Sequence, residues 1–263
     1  MLDLYLPASS RVHNLDARVK LILSLAFILA VSLTPTAAWP AYILLLALIQ
    51  SAILLAHIPT LHVLKRALLA IPFVLAAFPL IFSGPSPQPL ILLERYTFLY
   101  SVEGLARFAS IAFKSWLSIQ AAILLTSTTR FADLLLALGR LKLPPVFIAI
   151  IGLMWRYLFV LVEEVKRMER ARSSRSASVH SRRSGGSLTW RAQVTGKMAG
   201  SLLLRALERS ERIYAAMLAR GYDGRLPANV PTALRPGDIG LLLAGFFVLL
   251  FLVLLGFLTG RPV

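Results

Sequence analysis

The sequence contains no cysteine, so disulfides, thiolate metal ligands and a cysteine nucleophile are excluded. It is short of charge. Only 15% of its 263 residues are Asp, Glu, Lys or Arg, whereas a soluble domain carries about 25%. Acidic residues are the scarcest, 12 against 28 Lys and Arg, which leaves a net charge of +16. The four histidines are His13, His57, His62 and His180, and His57 and His62 stand five apart across Pro59. That is not the i,i+4 spacing of a helical ligand pair, so they read as histidines at a membrane edge. No G-x-x-x-x-G-K-[ST] loop occurs, because Gly196-Lys197-Met198 lacks both the upstream glycine and the hydroxyl. The chain therefore does not cradle nucleotide phosphates by that device. Neither H-E-x-x-H nor G-x-S-x-G appears. The adjacent carboxylates Glu163 and Glu164 could serve acid–base work, but Lys166 and Arg167 beside them favour a solvated helix face.

What the chain has is apolar length. Hydrophobic residues make up 57% of it, and the mean hydropathy is +0.74. This is the composition of an integral membrane protein. The apolar runs are Val19 to Leu33, Trp39 to Ile58, Ala67 to Phe82 (interrupted by Pro72 and Pro79), Gly104 to Leu125, and Ile239 to Leu258. A polar, proline-rich loop from Ser83 to Pro89 follows the third run. The start of the chain has acidic residues and no small-residue cleavage site, so it does not read as a signal peptide.

Between the fourth and fifth runs the character changes. Arg130 to Leu141 is a short amphipathic stretch. Val146 to Val162 is apolar but runs straight into EEVKRMERARSSR, and a loop rich in serine and arginine follows from Ser176 to Ser187. Leu188 to Arg220 is helical by pattern. Leu203, Leu207, Tyr214 and Met217 mark its apolar side, and Arg205, Glu208, Arg209 and Arg212 the other, with Glu208 to Arg212 in the favourable i,i+4 order.

Charge sets the expected topology. Arg11, Arg18 and Lys20 precede the first run, Lys65 and Arg66 separate the second from the third, and Arg130, Arg140 and Lys142 follow the fourth. The intervening loops hold only Arg95, beside Glu94. Basic residues collect on the cytoplasmic side, so the N-terminus is expected there. If Val146 to Val162 crossed, the basic region from Lys166 to Arg225 would lie outside, so a surface-lying insert is preferred to a sixth span. The expected fold is an all-α integral membrane protein of about five transmembrane helices with a cytoplasmic insert of long amphipathic helices. Its divisions are a four-span bundle over 1–129, the cytoplasmic region over 130–236, and a C-terminal span over 237–263.

The arginines of the insert have a particular position. Met154, Leu161, Met168 and Arg175 recur seven apart, and Arg172 lies four after Met168. Likewise Arg220 lies seven after Ile213 and three after Met217. In both helices an arginine ends the apolar stripe, where the helix dipole also favours a cation. Gly221 suits a left-handed stop. Ala219 and Gly221 leave space around a guanidinium that can grip a carboxylate in a fork. The bland alternative is an ordinary basic helix end with a glycine cap.

Four stretches together resemble the transmembrane coupling (T) component of energy-coupling-factor (ECF) transporters, of the cobalt/nickel, CbiQ type. They are SSRVHNLDARVKL (Ser9 to Leu21), FADLLLALGRLKLPPVF (Phe131 to Phe147), MWRYLFVLVEEVKRMERARSSRS (Met154 to Ser176) and AAMLARGYDG (Ala215 to Gly224). The resemblance covers nearly the whole chain. It implies two X-Arg-X coupling motifs: Ala219-Arg220-Gly221, and either Ser174-Arg175-Ser176 or the rival register around Arg172. The family's first motif often ends in glycine, where this chain has serine. The resemblance further implies a non-catalytic subunit in the inner (cytoplasmic) membrane with no cofactor of its own. Two ABC-type ATPase subunits would bind ATP. A substrate-binding membrane subunit (S component) of CbiM type, with or without a small accessory subunit, would carry cobalt or nickel. A vitamin substrate stays open on these residues.

Two other classes fit less well. A lipid-modifying membrane enzyme using Arg182 and Arg183 lacks a catalytic constellation. A nucleic-acid binder using Ser173 to Arg191 lacks interleaved aromatics apart from Trp190. Membrane lipid, not nucleic acid, is the expected surface partner. The orientation is testable in this cysteine-free chain. A single cysteine replacing Ser184 should react with an impermeant maleimide only from the cytoplasmic side, and one replacing Ser86 only from outside. External labelling at position 184 would overturn the surface-lying insert.

Overall fold

A computed structural model of the chain describes residues 5–8, 10, 12–68, 71–82, 88–93, 96–100, 102–175, 187–224 and 236–260. The chain divides into two compact units, Met1–Ala137 with Val230–Val263, and Leu138–Asn229.

The first unit is a helical bundle. Helix α1 (Ala17–Leu33) opens on Asp16, whose carboxylate accepts from the Arg18 N–H at 2.9 Å, and it stops at Thr34 before Pro35. The Asp16 side chain satisfies one of the orphan donors of the first turn. Helix α2 (Trp39–Leu55) starts with Pro40 in its first turn, where proline has no hydrogen bond to lose. The third apolar run is not one helix. Helix α3 (Thr60–Ala67) precedes it, and the run itself forms α4 (Ile71–Ala76) and a 3-10 turn (Phe78–Phe82). Pro72 and Pro79 each remove an amide donor from the ladder, so the run breaks into short pieces.

A hairpin of β1 (Gln88–Leu93) and β2 (Tyr96–Tyr100) follows, where no strand was expected. Its antiparallel register pairs Gln88 with Tyr100 and Leu90 with Phe98. QPLILL and YTFLY are rich in residues that suit a pleated surface. Helix α5 (Val102–Thr128) then runs through the bundle, and α6 (Phe131–Arg140) begins at its end. Helix α9 (Pro236–Thr259) completes the unit.

Helices α1 and α2 both pack on α5 and α9. The core holds Phe27, Val31, Leu45, Ile53, Leu117 and Leu252. Several polar groups in this unit are paired with one another or with backbone. Gln50 Nε2 donates to Gln120 Oε1 at 3.0 Å, and Tyr42 Oη to the Pro35 carbonyl at 2.8 Å. Lys114 Nζ donates to the Ser32 carbonyl at 3.1 Å, and the Ala37 N–H to Ser110 Oγ at 3.0 Å. Both bonds satisfy the turn between α1 and α2 without water, as hydrocarbon surroundings require.

Among the described residues, three helices are long and apolar enough to cross a membrane: Gly104–Thr128 within α5, Pro145–Arg175 and Pro236–Thr259. Helices α1 and α2, at 17 residues each, are shorter. The broken segment over 60–82 lies against α5. A Cβ at Gly104 would meet the Leu80 carbonyl oxygen and come within 2.9 Å of that of Ile81. Backbone cannot yield as a side chain can. Gly104→Leu should therefore destabilise the bundle by about 1–3 kcal/mol, the range for overpacking. A thermal melt in detergent measures this, and an unchanged midpoint would refute the close contact.

Candidate coupling site

The second unit is dominated by two long helices, α7 (Pro145–Arg175) and α8 (Leu188–Ala219). Helix α8 starts on Ser187, whose hydroxyl accepts from the Trp190 N–H. Three side-chain contacts fix its register on α7. Arg205 Nη1 pairs with Glu164 Oε1 at 2.7 Å, and Ser201 Oγ lies 3.7 Å from Met168 Sδ. Arg172 Nη1 donates to Thr195 Oγ1 at 3.3 Å. Partner numbers rise on α7 as they fall on α8, so the two helices run antiparallel.

Glu164 is the centre of this register. Its side chain is 14% exposed, and it also lies 3.7 Å from Arg167 Nη1. Glu163 is exposed. The expectation that both carboxylates lie on a solvated face is corrected for Glu164, which is consumed as an inter-helix clip. The expected Glu208–Arg212 ion pair does not form. Arg212 Nε donates instead to the Glu208 backbone carbonyl at 3.4 Å.

The packed face of α8 also differs from the expected one. Val194, Met198, Ser201, Leu202, Ala206, Arg209, Ile213 and Met217 are the partly covered positions. Leu203, Leu207 and Tyr214 are 61%, 53% and 57% exposed. Helix α8 carries two apolar stripes, and spacing alone does not choose between them. The stripe with Ser201 and Ala206 lets α7 approach closely, which leaves Leu203, Leu204 and Leu207 outside. Arg205 and Arg209, expected on the solvated side, therefore belong to the α7 side.

Beyond the clip the helices enclose a groove of about 470 Å³. Val146, Ile150, Met154 and Tyr157 line it from α7, and Arg209, Ile213 and Met217 from α8. Tyr222 closes its end. The apolar stripe of α8 thus leads along this groove to Arg220.

The end of α8 is a glycine-terminated Schellman turn. The Tyr222 N–H bonds the Met217 carbonyl at 3.0 Å, and the Gly221 N–H the Leu218 carbonyl at 3.0 Å. Gly221 has φ +81°, the left-handed region, and open space where a Cβ would stand. Backbone conformation, not crowding, selects glycine here. Ala219 and Arg220 are exposed, and the Arg220 guanidinium has no partner among the described residues.

At the far end of the pair, Arg172 is partly covered and held against Thr195. Arg175, the last residue of α7, is exposed and has no partner among the described residues. Ser174 Oγ donates back to the Arg170 carbonyl at 3.0 Å. Ser176 lies outside the described residues. The two helices that end in arginine thus end at opposite extremes of one antiparallel pair. Sequence reasoning placed both arginines at stripe ends but missed the Glu164 clip, whose only signal was an acidic residue opposite a basic one on a separate helix.

A family model described as "Cobalt transport protein" (CbiQ) matches residues 8–231. The chain belongs to the CbiQ family. The matched span includes both arginine-terminated helices. Among relatives, the cobalt transport protein CbiQ of Rhodobacter capsulatus is 29% identical over 90% of this chain and 91% of its own. The energy-coupling factor transporter transmembrane protein EcfT of Heliobacterium modesticaldum is 29% identical over 84% of this chain and 83% of its own. A putative fused cobalt transport protein CbiMQ of Methanocorpusculum labreanum is 27% identical over 82% of this chain, which spans 35% of that longer protein. This CbiQ-family chain is the transmembrane T component of an ECF-type ABC transporter. It is a multi-pass membrane protein and a non-catalytic transport subunit.

The Schellman turn generates a test. Gly221→Ala should cost about 1–2 kcal/mol, the penalty for a Cβ in the left-handed region, while Gly221→Asn should cost less. Hydrogen exchange at residues 217–222 reports it. Equal protection in all three proteins would refute the turn.

Proposed function

We propose that this T component couples through the two exposed arginines, Arg175 and Arg220, each docking on a different ABC-type ATPase subunit. One observation carries the reading: the arginines terminate antiparallel helices at opposite ends of one pair. Twenty-five positions separate Thr195, the partner of Arg172, from Arg220. That is roughly 38 Å of helix at 1.5 Å per residue. One carboxylate-bearing groove cannot receive both arginines, whereas two copies of an ATPase can. Arg175 is preferred to Arg172 as the first motif residue because the Arg172 guanidinium is occupied by Thr195. Arg172 then serves as a strut, and Ser174, Ala219 and Gly221 flank the two docking guanidiniums.

In this reading α1, α2, the broken third run over 67–82, α5 and α9 make five crossings, with the N-terminus in the cytoplasm of the inner-membrane orientation. Helix α7 meets the length and apolarity for a span. Its second half, however, carries Lys166, Arg167, Arg170, Arg172 and Arg175, and it is clipped to the basic α8. Crossing would carry that charge outside, against the positive-inside bias, so α7 lies on the cytoplasmic face. The four-span bundle, coupling region and C-terminal span then correspond to 1–129, 130–236 and 237–263. The substrate is cobalt, as the family description and the CbiQ relatives suggest, delivered by an S component. The fused CbiMQ relative supports a CbiM-type partner for that role.

Loss of one member of a desolvated charge pair costs about 2–5 kcal/mol, much of it from stranding the other charge. Arg220→Glu adds repulsion to that loss, and so should impair transport and ATPase co-purification more than Arg220→Ala. Arg175→Glu should behave alike. Arg212→Ala, at an exposed residue bonded among the described residues only to its own helix, is the control. Uptake of radioactive cobalt by the assembled complex measures coupling. Equal uptake and ATPase retention for Arg220→Glu and Arg212→Ala would overturn the docking role, and uptake of nickel or no metal would overturn the substrate alone.

A further inference from the structure

A second site lies in the first unit, where α1 begins, α5 ends and α6 begins. A polar pocket of about 240 Å³ is lined there by Asp16, Arg18, Lys20, Thr129, Arg130 and Asp133. Beside it, an apolar cleft of about 400 Å³ opens between α1, α2, α5 and α9. The two share a wall, because Leu15, Lys20 and Thr128 line both.

We propose that pocket and cleft together bind one phospholipid, with its phosphodiester in the pocket and an acyl chain in the cleft. Charge is the first support. Arg18, Lys20 and Arg130 face Asp16 and Asp133, leaving one positive charge in excess for the single negative charge of a phosphodiester. Asp16 is already engaged by the Arg18 N–H and, at 3.7 Å, by Arg18 Nε. Donors are the second support. Lys20 Nζ spends two hydrogen bonds on the His13 and Thr128 carbonyls, both at 3.1 Å, which leaves one of its three. Arg130 stacks its guanidinium over the Tyr5 ring at 5.2 Å, leaving its N–H edges free to fork a phosphate. The hydroxyl of Thr129, a residue 4% exposed, is buried and has no hydrogen-bond partner among the described residues.

Depth is the third support. The cleft takes in Lys20 to Phe27 on α1, Leu48 to Leu55 on α2, Ala121 to Thr128 on α5 and Leu241 to Leu249 on α9. Each stretch rises roughly 10–12 Å. One leaflet's hydrocarbon is about 15 Å, half of the roughly 30 Å core. The cleft therefore descends from the charged rim into a single leaflet, as one acyl chain does. An acyl chain leaves hydrocarbon for hydrocarbon and gains little, so retention must come from the headgroup contacts.

The test is native mass spectrometry of the full chain, purified in a phosphate-free detergent and given phosphatidylglycerol. Wild type should hold one lipid. Arg130→Gln should lower occupancy on the order of tenfold, the scale of one lost charged hydrogen bond, and Arg130→Lys should recover most of it. Ala52→Phe fills the cleft without touching charge and should lower occupancy likewise. Lys65→Gln, an exposed cation on α3, should change nothing. A thermal melt of each variant confirms folding. Equal lipid retention in wild type, Arg130→Gln and Ala52→Phe would overturn the proposal, and so would the absence of lipid from wild type. Displacement of the lipid by inorganic phosphate would show the pocket to be a site for the free anion, which also overturns it.

Discussion

Glu164 sets the register on which the coupling site depends. Its carboxylate is mostly covered and holds Arg205 at 2.7 Å, across the interface between α7 and α8. An ion pair with one partner so exposed contributes little to stability, on the order of 1 kcal/mol or less. Its consequence is positional. With Glu164 opposite Arg205, Met168 falls on Ser201 and Arg172 on Thr195. The antiparallel sense then puts the C-terminus of each helix beside the start of the other. A C-terminus is where a helix favours cations. The chirality and polarity of the α-helix thus convert two local basic ends into two distant ones.

Much of this was legible in the residues because it depends on local backbone chemistry. Gly221 after Met217-Leu218-Ala219-Arg220 is a stop whether or not anything packs on it, and the structure has it at φ +81°. Pro72 and Pro79 flagged the third apolar run as interrupted, although not that it would divide into a short helix and a 3-10 turn. What failed was any inference that needed a partner helix. Leu203 and Leu207 outrank Ala206 and Ser201 in hydrophobicity, yet the small residues face α7, because close approach depends on volume and not on apolarity alone. Glu164 and Arg205 are 41 positions apart. No periodicity within one helix connects them, so each was assigned to solvent on its own. The β1–β2 hairpin was missed for a similar reason: its strands are short, and pairing reveals them more than composition does.

The two units solve different physical problems. In the bundle, buried polar groups serve the ends of apolar helices. Ser110 and Lys114 hold the turn after α1, and Lys20 bonds the Thr128 carbonyl at the end of α5. These contacts leave few backbone groups in need of water, which suits a body held in lipid. In the α7–α8 pair, large apolar side chains such as Met154, Leu203 and Leu204 stay uncovered, at 61%, 61% and 64% exposure. Exposed apolar surface of this kind marks a site of interaction with protein or membrane. A T component needs both properties, a bundle whose helix ends are mostly satisfied from within and a pair of helices left with surface to give to partners.

The pair is also uneven along its length. From Glu164 to Arg172 it is pinned by charge, sulfur and hydroxyl contacts to α8. From Val146 to Leu161 the helices part around a groove walled by apolar and aromatic side chains. Directional contacts resist sliding, because each is lost over a fraction of an ångström. Apolar walls tolerate it, because the hydrophobic effect has no preferred direction. The Arg175 end is therefore the stiff end of the device and the Arg220 end the compliant one. The Schellman turn through Tyr222, which also lines the groove, ties Arg220 directly to that compliant wall. Under the proposed docking, a load at Arg220 would enter the helix pair beside the groove, and the contacts from Glu164 to Arg172 would resist it.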